Sequence, residues 1–196
     1  KLLAFHFFDL LNSIDFHIKR LNTLQPSILV AQPSMLLELA NAIEANRLTI
    51  KPQKVISVAE VLTPEDKAYL SNIFKQTIQQ VYQCTEGFLA SSCEHGTLHF
   101  NEDFLIIEKK YIDHEQSRFH PIITDLRRRS QPIIRYELND IIQEKTNCPC
   151  GSKFLAIEAI EGRSYDILAF KKSSPTSMNS ISRVSIKVFL LNSLQF

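Results

Sequence analysis

The 196-residue sequence has little glycine, little cysteine and no tryptophan. Its four glycines are too widely separated to form a glycine-rich phosphate-binding loop. Four cysteines in a chain of this length do not make a disulfide scaffold, so metal binding or free thiols are the favoured interpretations. The sequence also lacks an apolar run of membrane-spanning length and a recognisable signal peptide, which predicts a cytoplasmic location without membrane contact.

Neither positive nor negative charge is in excess, because the formal net charge is +1 at pH 7 and acids and bases are interspersed. A surface that follows a nucleic-acid backbone needs a concentration of positive charge, so no nucleic-acid partner is predicted. A hydrophobic fraction of 44% with 13 phenylalanines is sufficient for a packed core. The length is compatible with one domain or a little more.

The first part of the chain, residues 1–90, is predicted to be an α/β subdomain. Short apolar runs fit buried parallel strands, and amphipathic stretches between them fit helices. Thr63 is a good helix N-cap, because a proline follows it at the first helical position. Ligands bind beyond the carboxyl ends of such strands, so a site is expected there. The predicted elements are a helix within residues 1–24, strands at 27–31, 54–59 and 77–82, and helices beginning near Pro33 and Thr63.

Residues 91–166 are predicted to form a β-rich subdomain, with antiparallel strands joined by turns and no helix. Residues 167–196 contain no acidic side chain and show no consistent periodicity, so they are interpreted as a hinge and a flexible or non-native tail. The predicted fold class is therefore α/β: a parallel sheet with flanking helices, followed by a β-rich subdomain. The predicted strands of the second part are 98–100, 104–112, 120–126, 133–142 and 154–160.

Three short segments of the sequence carry a resemblance to a known superfamily. The segment from Gln80 to Gly87 follows a predicted strand and presents an aromatic ring, a hydroxyl and a carboxylate before a glycine. The second segment runs from Arg135 to Asp140, and the third runs from Gly162 to Asp166. Together they resemble the adenylate-forming ligase superfamily, and residues 26–166 look most like its phenylacetate–coenzyme A ligase and CapK-like branch.

Activation of a carboxylate with ATP requires an adenine clamp, a contact to the α-phosphate and a carboxylate for Mg²⁺. The resemblance implies that Tyr82 stacks on adenine, that Thr85 contacts the α-phosphate and that Glu86 holds Mg²⁺. It also implies that Glu60 lines the adenine and acyl pocket. The implied cofactors are ATP or AMP and Mg²⁺, and the implied substrates are a small-molecule carboxylic acid and coenzyme A or a carrier thiol.

The resemblance also implies a ribose site in the later segments. Asp140 is expected to accept hydrogen bonds from the ribose hydroxyls, Arg163 to reinforce that contact, and Asp166 to be the hinge of a mobile C-terminal domain. The competing interpretations are structural. Tyr82 would then be a core aromatic and Asp140 a turn residue at a strand end, while Arg163 would be a surface partner of Glu161.

The sequence departs from the family in two places. The Ser/Thr/Gly-rich loop that grips the β- and γ-phosphates is not found, and Lys171, Lys172 and Lys187 are not in the context of the family's adenylation lysine. Since Lys1 already lies inside an apolar pattern, we expect a fragment whose other half is supplied by the native full-length chain, or a homodimer. The chain alone is expected to support no useful ATP–pyrophosphate exchange.

A structural zinc site is predicted from cysteine and histidine spacing. Cys148 and Cys150 form a Cys-x-Cys-Gly turn, and Cys93 with His99 can complete a tetrahedron of three sulfurs and one nitrogen. His95 is the rival for the fourth position, but His99 is preferred because it lies at a predicted strand start. The Cys-x-Cys-Gly turn also resembles an element of the phenylacetate ligase branch, where zinc is plausible.

Two other interpretations of these cysteines stay open, namely free buried thiols and a disulfide. Cys84 lies within the nucleotide segment and is not assigned to the metal. His114 and His120 are interpreted as solvent-facing strand positions. No nucleophile–base arrangement of the Ser/His/Asp type is supported by the spacing.

The leading functional hypothesis is a fragment of an ATP-dependent ligase that forms an acyl-adenylate and then a thioester. The alternative is a non-catalytic, zinc-stabilised α/β interaction module or structural remnant of that fold. A zinc-ribbon nucleic-acid binder is disfavoured by the neutral charge and by the lack of a second close cysteine pair. Binding of a non-hydrolysable acyl-adenylate analogue, lost on Asp140→Ala, would separate the first two hypotheses.

Overall fold

A computed structural model describes residues 4–163, which fall into two compact units. The first unit extends to Leu105 and also contains Lys145–Ile157. The second contains Ile106–Glu144 and the described residues after Ile157. This division differs from the expected boundary after residue 90. Residues 91–105 and 145–157, which were expected in the second subdomain, belong to the first unit.

The first unit is a mixed sheet with three helices. Its elements are α1 Ile14–Leu24, β1 Ile28–Ala31, α2 Pro33–Glu44, β2 Lys54–Ser57, α3 Pro64–Phe74, β3 Gln79–Cys84, β4 Gly87–Ser92 and β5 Leu98–Phe100. The strand order is β1-β2-β3-β4-β5. The strands β1, β2 and β3 are parallel, whereas β4 and β5 are antiparallel to their neighbours. The predicted parallel sheet is thus extended by a hairpin.

Local capping sets the starts of two helices. The side-chain oxygens of Ser13 and Thr63 each accept a backbone N–H from the first turn of α1 and α3, respectively. The helix predicted within residues 1–24 is shorter than expected, because the cap at Ser13 fixes its start. Phe7 and Leu11, which belong to the apolar pattern before that cap, are 84% and 94% exposed.

The core of the first unit combines apolar side chains of all three helices with those of β1 and β2. Leu36 of α2, Leu70 of α3 and Val55 of β2 are all fully buried. Complete burial of such a side chain contributes about 1.5–3 kcal/mol relative to exposure. This packing holds the parallel strands in register and fixes the position of their carboxyl ends.

The second unit contains strands and no helix among its described residues. Its strand order is β10-β9-β7-β6, and β8 pairs with β7. Phe119, Ile123 and Ile142 are fully buried in this unit. The β-rich second part is as predicted, although the strand predicted at 133–142 is divided into two. The elements are β6 Leu105–Tyr111, β7 Arg118–Asp125, β8 Tyr136–Glu137, β9 Asp140–Lys145 and β10 Ala156–Arg163.

None of the helices formed by residues 4–163 has the length and apolar character needed to cross a membrane. The predicted hinge at Asp166 and the predicted tail at 167–196 lie outside the described residues. The same is true of Lys171, Lys172 and Lys187.

Candidate functional site

The predicted nucleotide segment forms a tight hairpin between β3 and β4. Cys84 pairs with Gly87, which leaves Thr85 and Glu86 as a two-residue turn. Thr85 is exposed and Glu86 is half-buried. The register shifts directly after Tyr82, and such a bulge increases the local twist and redirects side chains. The hydroxyl and the carboxylate are therefore presented at the carboxyl end of β3.

Tyr82 is the buried member of this segment, with 8% of its surface exposed. Its ring lies edge-on to Phe100, with ring centroids 6.3 Å apart and an interplanar angle of 68°. Tyr82 pairs with Ala90 and Ala90 pairs with Phe100, so the three side chains form one row on the same face of the sheet. A base that stacks on Tyr82 would meet a ring whose orientation Phe100 restrains.

Glu60 follows the carboxyl end of β2 and contacts α2. Its carboxylate accepts the backbone N–H of Ser34 at 3.2 Å and the Ser34 hydroxyl at 3.0 Å. The positive end of the helix dipole favours an anion at this position. Because β2 and β3 are parallel, with Ser57 beside Gln80, the segments leading to Glu60 and Tyr82 run toward the same end of the sheet.

Ala59 adopts an unfavourable backbone conformation, with φ of 67°, and the Glu60 N–H bonds to the Val58 carbonyl at 2.9 Å. A side chain with a Cβ is strained in such a tight turn. Ala59→Gly is therefore expected to raise the free energy of unfolding by about 0.5–1 kcal/mol, measured by urea denaturation, after allowing for the chain entropy of glycine. Ala68→Gly, in the exposed interior of α3, is the control and should lower it by about 1 kcal/mol. Equal destabilisation by both substitutions would contradict the strain.

Burial and the adjacent Glu86 carboxylate raise the pKa of Cys84 to about 11. The thiol therefore stays protonated at pH 8, and iodoacetamide should alkylate it roughly tenfold or more slowly than an ordinary cysteine. The rate should keep rising above pH 9, as measured by mass spectrometry of the metal-loaded protein. Glu86→Gln should accelerate alkylation, whereas Glu65→Gln on α3 should not. Alkylation of Cys84 at the speed of a free thiol at pH 8 would refute this.

The two residues predicted to contact ribose lie together in the second unit. β9 begins at Asp140, and the neighbouring β10 ends at Arg163. The Arg163 Nε lies 3.9 Å from the Asp140 Oδ1, with the Asp140 side chain 17% exposed and that of Arg163 70% exposed. His120 Nδ1 lies 3.0 Å from the Asp140 carbonyl oxygen. His120, interpreted as a solvent-facing strand position, lies on the less buried face of β7 and is half-buried.

Other ion pairs hold the strands around these residues. Glu161, the expected surface partner of Arg163 in the structural interpretation, lies 3.6 Å from Arg118. Arg135, which begins the second family segment, binds both carboxylate oxygens of Glu108 at 2.9 Å. That carboxylate raises the pKa of Arg135. The bidentate pair anchors the chain just before β8.

Cys93, His99, Cys148 and Cys150 come together in the first unit, where one ligand atom from each lies within 4.8 Å of all the others. The Cys93 and Cys148 Sγ atoms are 3.7 Å apart, and the Cys150 Sγ is 3.4 Å from His99 Nε2. With Zn–S about 2.3 Å and Zn–N about 2.0 Å, a tetrahedral site has edges of about 3.8 and 3.5 Å. The cysteines are free, and the 3.7 Å separation is far longer than a disulfide bond.

His99 is oriented for coordination and His95 is not. His99 is 6% exposed, and its Nδ1 lies 3.0 Å from the Phe154 carbonyl oxygen. A proton on Nδ1 satisfies this contact and leaves the Nε2 lone pair directed at the sulfurs. The His95 side chain is 48% exposed and lies 3.7 Å from Glu94. The cluster therefore contains the preferred histidine.

Two glycine-closed turns present the cysteines. The Gly96 N–H bonds to the Cys93 carbonyl at 2.9 Å, and the Gly151 N–H bonds to the Cys148 carbonyl at 3.3 Å. The two glycines have φ of 75° and 73°, a region that other residues rarely adopt. The spacing of glycine after cysteine is the sequence signal that makes this cluster predictable.

The thiols of the cluster differ in acidity. The backbone N–H of Cys150, helped by His99, lowers the pKa of Cys148 to about 6 although burial opposes this. Cys150 accepts the Ser152 N–H, which lowers its pKa, but burial and the neighbouring cysteine sulfurs raise it further, so its net pKa is raised. A divalent cation that binds cysteine sulfurs displaces their protons, so its affinity for this cluster should rise with pH.

Three contacts around these sites were not predicted, namely those made by Ser34, Phe100 and His120. Ser34 follows a proline in the first turn of α2, so its position beside an anion had a local signal. The contacts of Phe100 and His120 depend on the pairing of β5 with β4 and of β7 with β9. Such pairing between distant segments has no local sequence signal.

No family model matches the chain. The sequence is 26% identical over 174 residues to protein CapK of Staphylococcus aureus, covering 85% of this chain and 38% of CapK. It is 30% identical over 131 residues to indoleacetate–lysine synthetase of Pseudomonas savastanoi, covering 63% of this chain and 31% of the synthetase. The chain thus spans about a third of the length of these curated relatives.

Solved ligases share the fold of the chain. A 2-hydroxyisobutyryl-CoA ligase in complex with 2-HIB-AMP and CoA matches 80% of this chain and 40% of that ligase, with a TM-score of 0.65 and 20% identity. The amide bond synthetase McbA from Marinactinospora thermotolerans matches 87% of this chain and 36% of that enzyme, with a TM-score of 0.57 and 12% identity. These matches confirm the predicted fold class, and the sequence relatives point to the same superfamily. The chain thus has the fold of these adenylate-forming ligases, and its sequence is similar to CapK.

Proposed function

We propose that the chain carries part of the nucleotide site of an ATP-dependent, carboxylate-adenylating ligase. The observation that carries the proposal is the parallel register of β2 and β3, which directs Glu60 and the Thr85–Glu86 turn toward one end of the sheet. In open α/β sheets, ligands bind beyond the carboxyl ends of the strands. The similarity to a ligase that was solved with an acyl-AMP and CoA agrees with this reaction class.

In the proposed reaction, a carboxylate oxygen of a small-molecule acid attacks the α-phosphorus of ATP, and pyrophosphate leaves. The thiol of coenzyme A or of a carrier then attacks the acyl carbon, and AMP leaves. Thr85 is proposed to donate a hydrogen bond to the α-phosphate, and Tyr82 to stack on adenine. The Glu86 carboxylate would hold Mg²⁺, which neutralises phosphate charge when bound.

The remaining nucleotide contacts are assigned to Glu60 and to the second unit. Glu60 is proposed to line the adenine and acyl pocket. The Asp140 carboxylate is proposed to accept the ribose hydroxyls, and the Arg163 guanidinium 3.9 Å away to orient it. The sequence contains no Ser/Thr/Gly-rich loop for the β- and γ-phosphates, so this chain alone should give no useful ATP–pyrophosphate exchange.

The proposal includes a structural zinc ion in the Cys₃His cluster. Three sulfurs and one imidazole nitrogen provide four ligands with edges close to those of a tetrahedral zinc site. These four ligands would fill the coordination sphere and leave no open position for a reacting water. The ion would therefore stabilise the fold and take no part in the chemistry. Reduced thiols of this kind are typical of a cytoplasmic protein.

A non-catalytic module remains the second candidate, and two contacts favour it. Glu60 already binds Ser34 at the start of α2, and Tyr82 is buried against Phe100. Both residues therefore have structural roles that need no ligand.

Titration calorimetry of the zinc-loaded chain with a non-hydrolysable acyl-adenylate analogue tests the proposal. Saturable binding with one analogue per chain would support the ligase assignment. No detectable binding by a chain that is folded and holds zinc would favour the non-catalytic module.

A further inference from the structure

The strand β5 connects the metal cluster to the nucleotide hairpin through two adjacent side chains. His99 belongs to the cluster, and Phe100, the next residue, packs on Tyr82. Adjacent residues of a strand point to opposite faces, so the cluster and the Tyr82 contact lie on opposite sides of β5. His99 is 6% exposed and Phe100 is fully buried, so neither can move without displacing its neighbours.

The contact between Phe100 and Tyr82 depends on the small residue between them. Tyr82, Ala90 and Phe100 form one cross-strand row on β3, β4 and β5, and Ala90 is fully buried. Because Ala90 carries only a methyl group, the two rings meet above it at 6.3 Å. The orientation of the Tyr82 ring is therefore sensitive to the position of β5.

Strand pairing on both sides holds β5 in place. The strand has three residues and pairs with β4 and with Ala156 and Ile157 of β10. The Phe100 N–H bonds to the Leu155 carbonyl at 2.9 Å. This opposing segment follows Cys150 closely, so a metal in the cluster would tie β5 and its partner segment together at once.

We infer that the Cys₃His cluster is a positioning element for Tyr82. A metal bound by the cluster fixes β5, β5 fixes Phe100, and Phe100 orients the ring proposed to receive adenine. Phe100 is a positioning residue in this scheme, because it acts on the nucleotide only through Tyr82. The nucleotide part of the inference rests on the proposed function, whereas the link from the metal to the Tyr82 ring requires no ligand.

Fluorine NMR of the full chain labelled with 3-fluorotyrosine tests the link directly. The sequence has five tyrosines, and Tyr82→Phe assigns the Tyr82 resonance. Removal of zinc with a chelator should shift or broaden the Tyr82 resonance, and added zinc should restore it. The resonance of Tyr69, whose hydroxyl bonds Asn41 and Glu44 between α2 and α3, should stay in place. An unchanged Tyr82 resonance, or an equal change of all the tyrosines through general unfolding, would overturn the inference.

A substitution at Phe100 supplies a second measurement. Phe100→Leu should remove the zinc dependence of the Tyr82 resonance while the protein still binds zinc. The matched control is Phe119→Leu in the second unit, which replaces another fully buried phenylalanine that packs edge-on to a tyrosine, Tyr111. The control should retain the zinc response, and its loss in the control as well would count against the proposed route. The wild-type measurement stands alone if Phe100→Leu does not fold.

The acyl-adenylate analogue provides the ligand readout. Zinc removal should weaken its binding about tenfold, because a Tyr82 ring that is no longer held in place stacks less well on adenine. If the zinc-loaded chain binds no analogue, the proposed ligase function fails, while the fluorine measurement still decides whether the cluster positions Tyr82. If the analogue binds equally well with and without zinc, the inference fails and the ligase function stands.

Discussion

Cys150→Ser is expected to abolish stoichiometric zinc binding and to lower the free energy of unfolding of the first unit by at least about 3 kcal/mol. The effect is large because the cluster ties the turn after β4 to the 145–157 segment, which are far apart in sequence. Removal of one thiolate also leaves three ligand atoms packed together without the cation that compensates their burial. Elemental analysis gives the zinc content, and urea denaturation followed by circular dichroism gives the stability.

The chain offers matched controls for this experiment. His99→Ala should reproduce the loss of zinc, whereas His95→Ala should not, because the His95 side chain is 48% exposed and faces Glu94. Cys84→Ser tests whether any cysteine would give the same result, and it should leave zinc unchanged, since Cys84 lies outside the cluster. Well under one zinc per chain in wild-type protein purified without chelator would remove the zinc assignment.

The Cys₃His cluster and the parallel strands were predictable because their signals are local. A cysteine followed by a glycine three residues later specifies the same turn at Cys93–Gly96 and at Cys148–Gly151. Thr63 caps α3 as predicted, because an N-cap depends on residues within one turn. Strands form at 28–31 and 54–57, close to the predicted positions, because short apolar runs favour parallel strands. The expectation that both are buried was wrong for β1, which lies at the sheet edge with Ile28 and Val30 47% and 55% exposed.

Features that depend on distant pairing were not predictable. The strand β4 follows the nucleotide turn in a short run without clear alternation, and only its pairing with β3 and β5 defines it. The 145–157 segment joins the first unit through its contacts with β5, so the expected boundary could not anticipate it.

His17 is 3% exposed, beside Phe8 and Phe16, and neither of its ring nitrogens has a hydrogen-bond partner in the described part of the chain. A polar residue in an amphipathic helix is expected at the surface, and tertiary packing overrides that expectation here.

The residues proposed to contact the nucleotide were predictable in part. The resemblance supplied their identities, and the structure places Glu60, Thr85 and Glu86 at the carboxyl ends of parallel strands in one unit. Asp140 and Arg163 are adjacent in the other unit, although 22 residues intervene between them in the sequence. The roles of all five residues stay predictions, because a contact with ATP depends on the bound nucleotide as well as on the side chains.

Asp140→Ala is expected to weaken binding of the acyl-adenylate analogue by at least about a hundredfold. A carboxylate that accepts two ribose hydroxyls makes charge-assisted hydrogen bonds, each worth about 1.5–3 kcal/mol. The substitution should have little effect on stability, because its partner Arg163 is 70% exposed and such a pair contributes little to folding. Calorimetric titration of the zinc-loaded protein measures the affinity, and thermal melting verifies the fold.

Variants of neighbouring charges distinguish a ribose contact from a general loss of charge in the second unit. Asp140→Asn keeps the shape and one acceptor oxygen, so it should bind the analogue with an affinity between those of wild type and Asp140→Ala. Arg163→Ala should weaken binding by about tenfold, since the arginine reinforces the contact through Asp140. Glu161→Ala, on the same strand as Arg163, removes a carboxylate that lies 3.6 Å from Arg118 and should leave the affinity unchanged. If Asp140→Ala binds the analogue as tightly as wild type, Asp140 is a structural residue at a strand end, and the ribose site must be sought elsewhere.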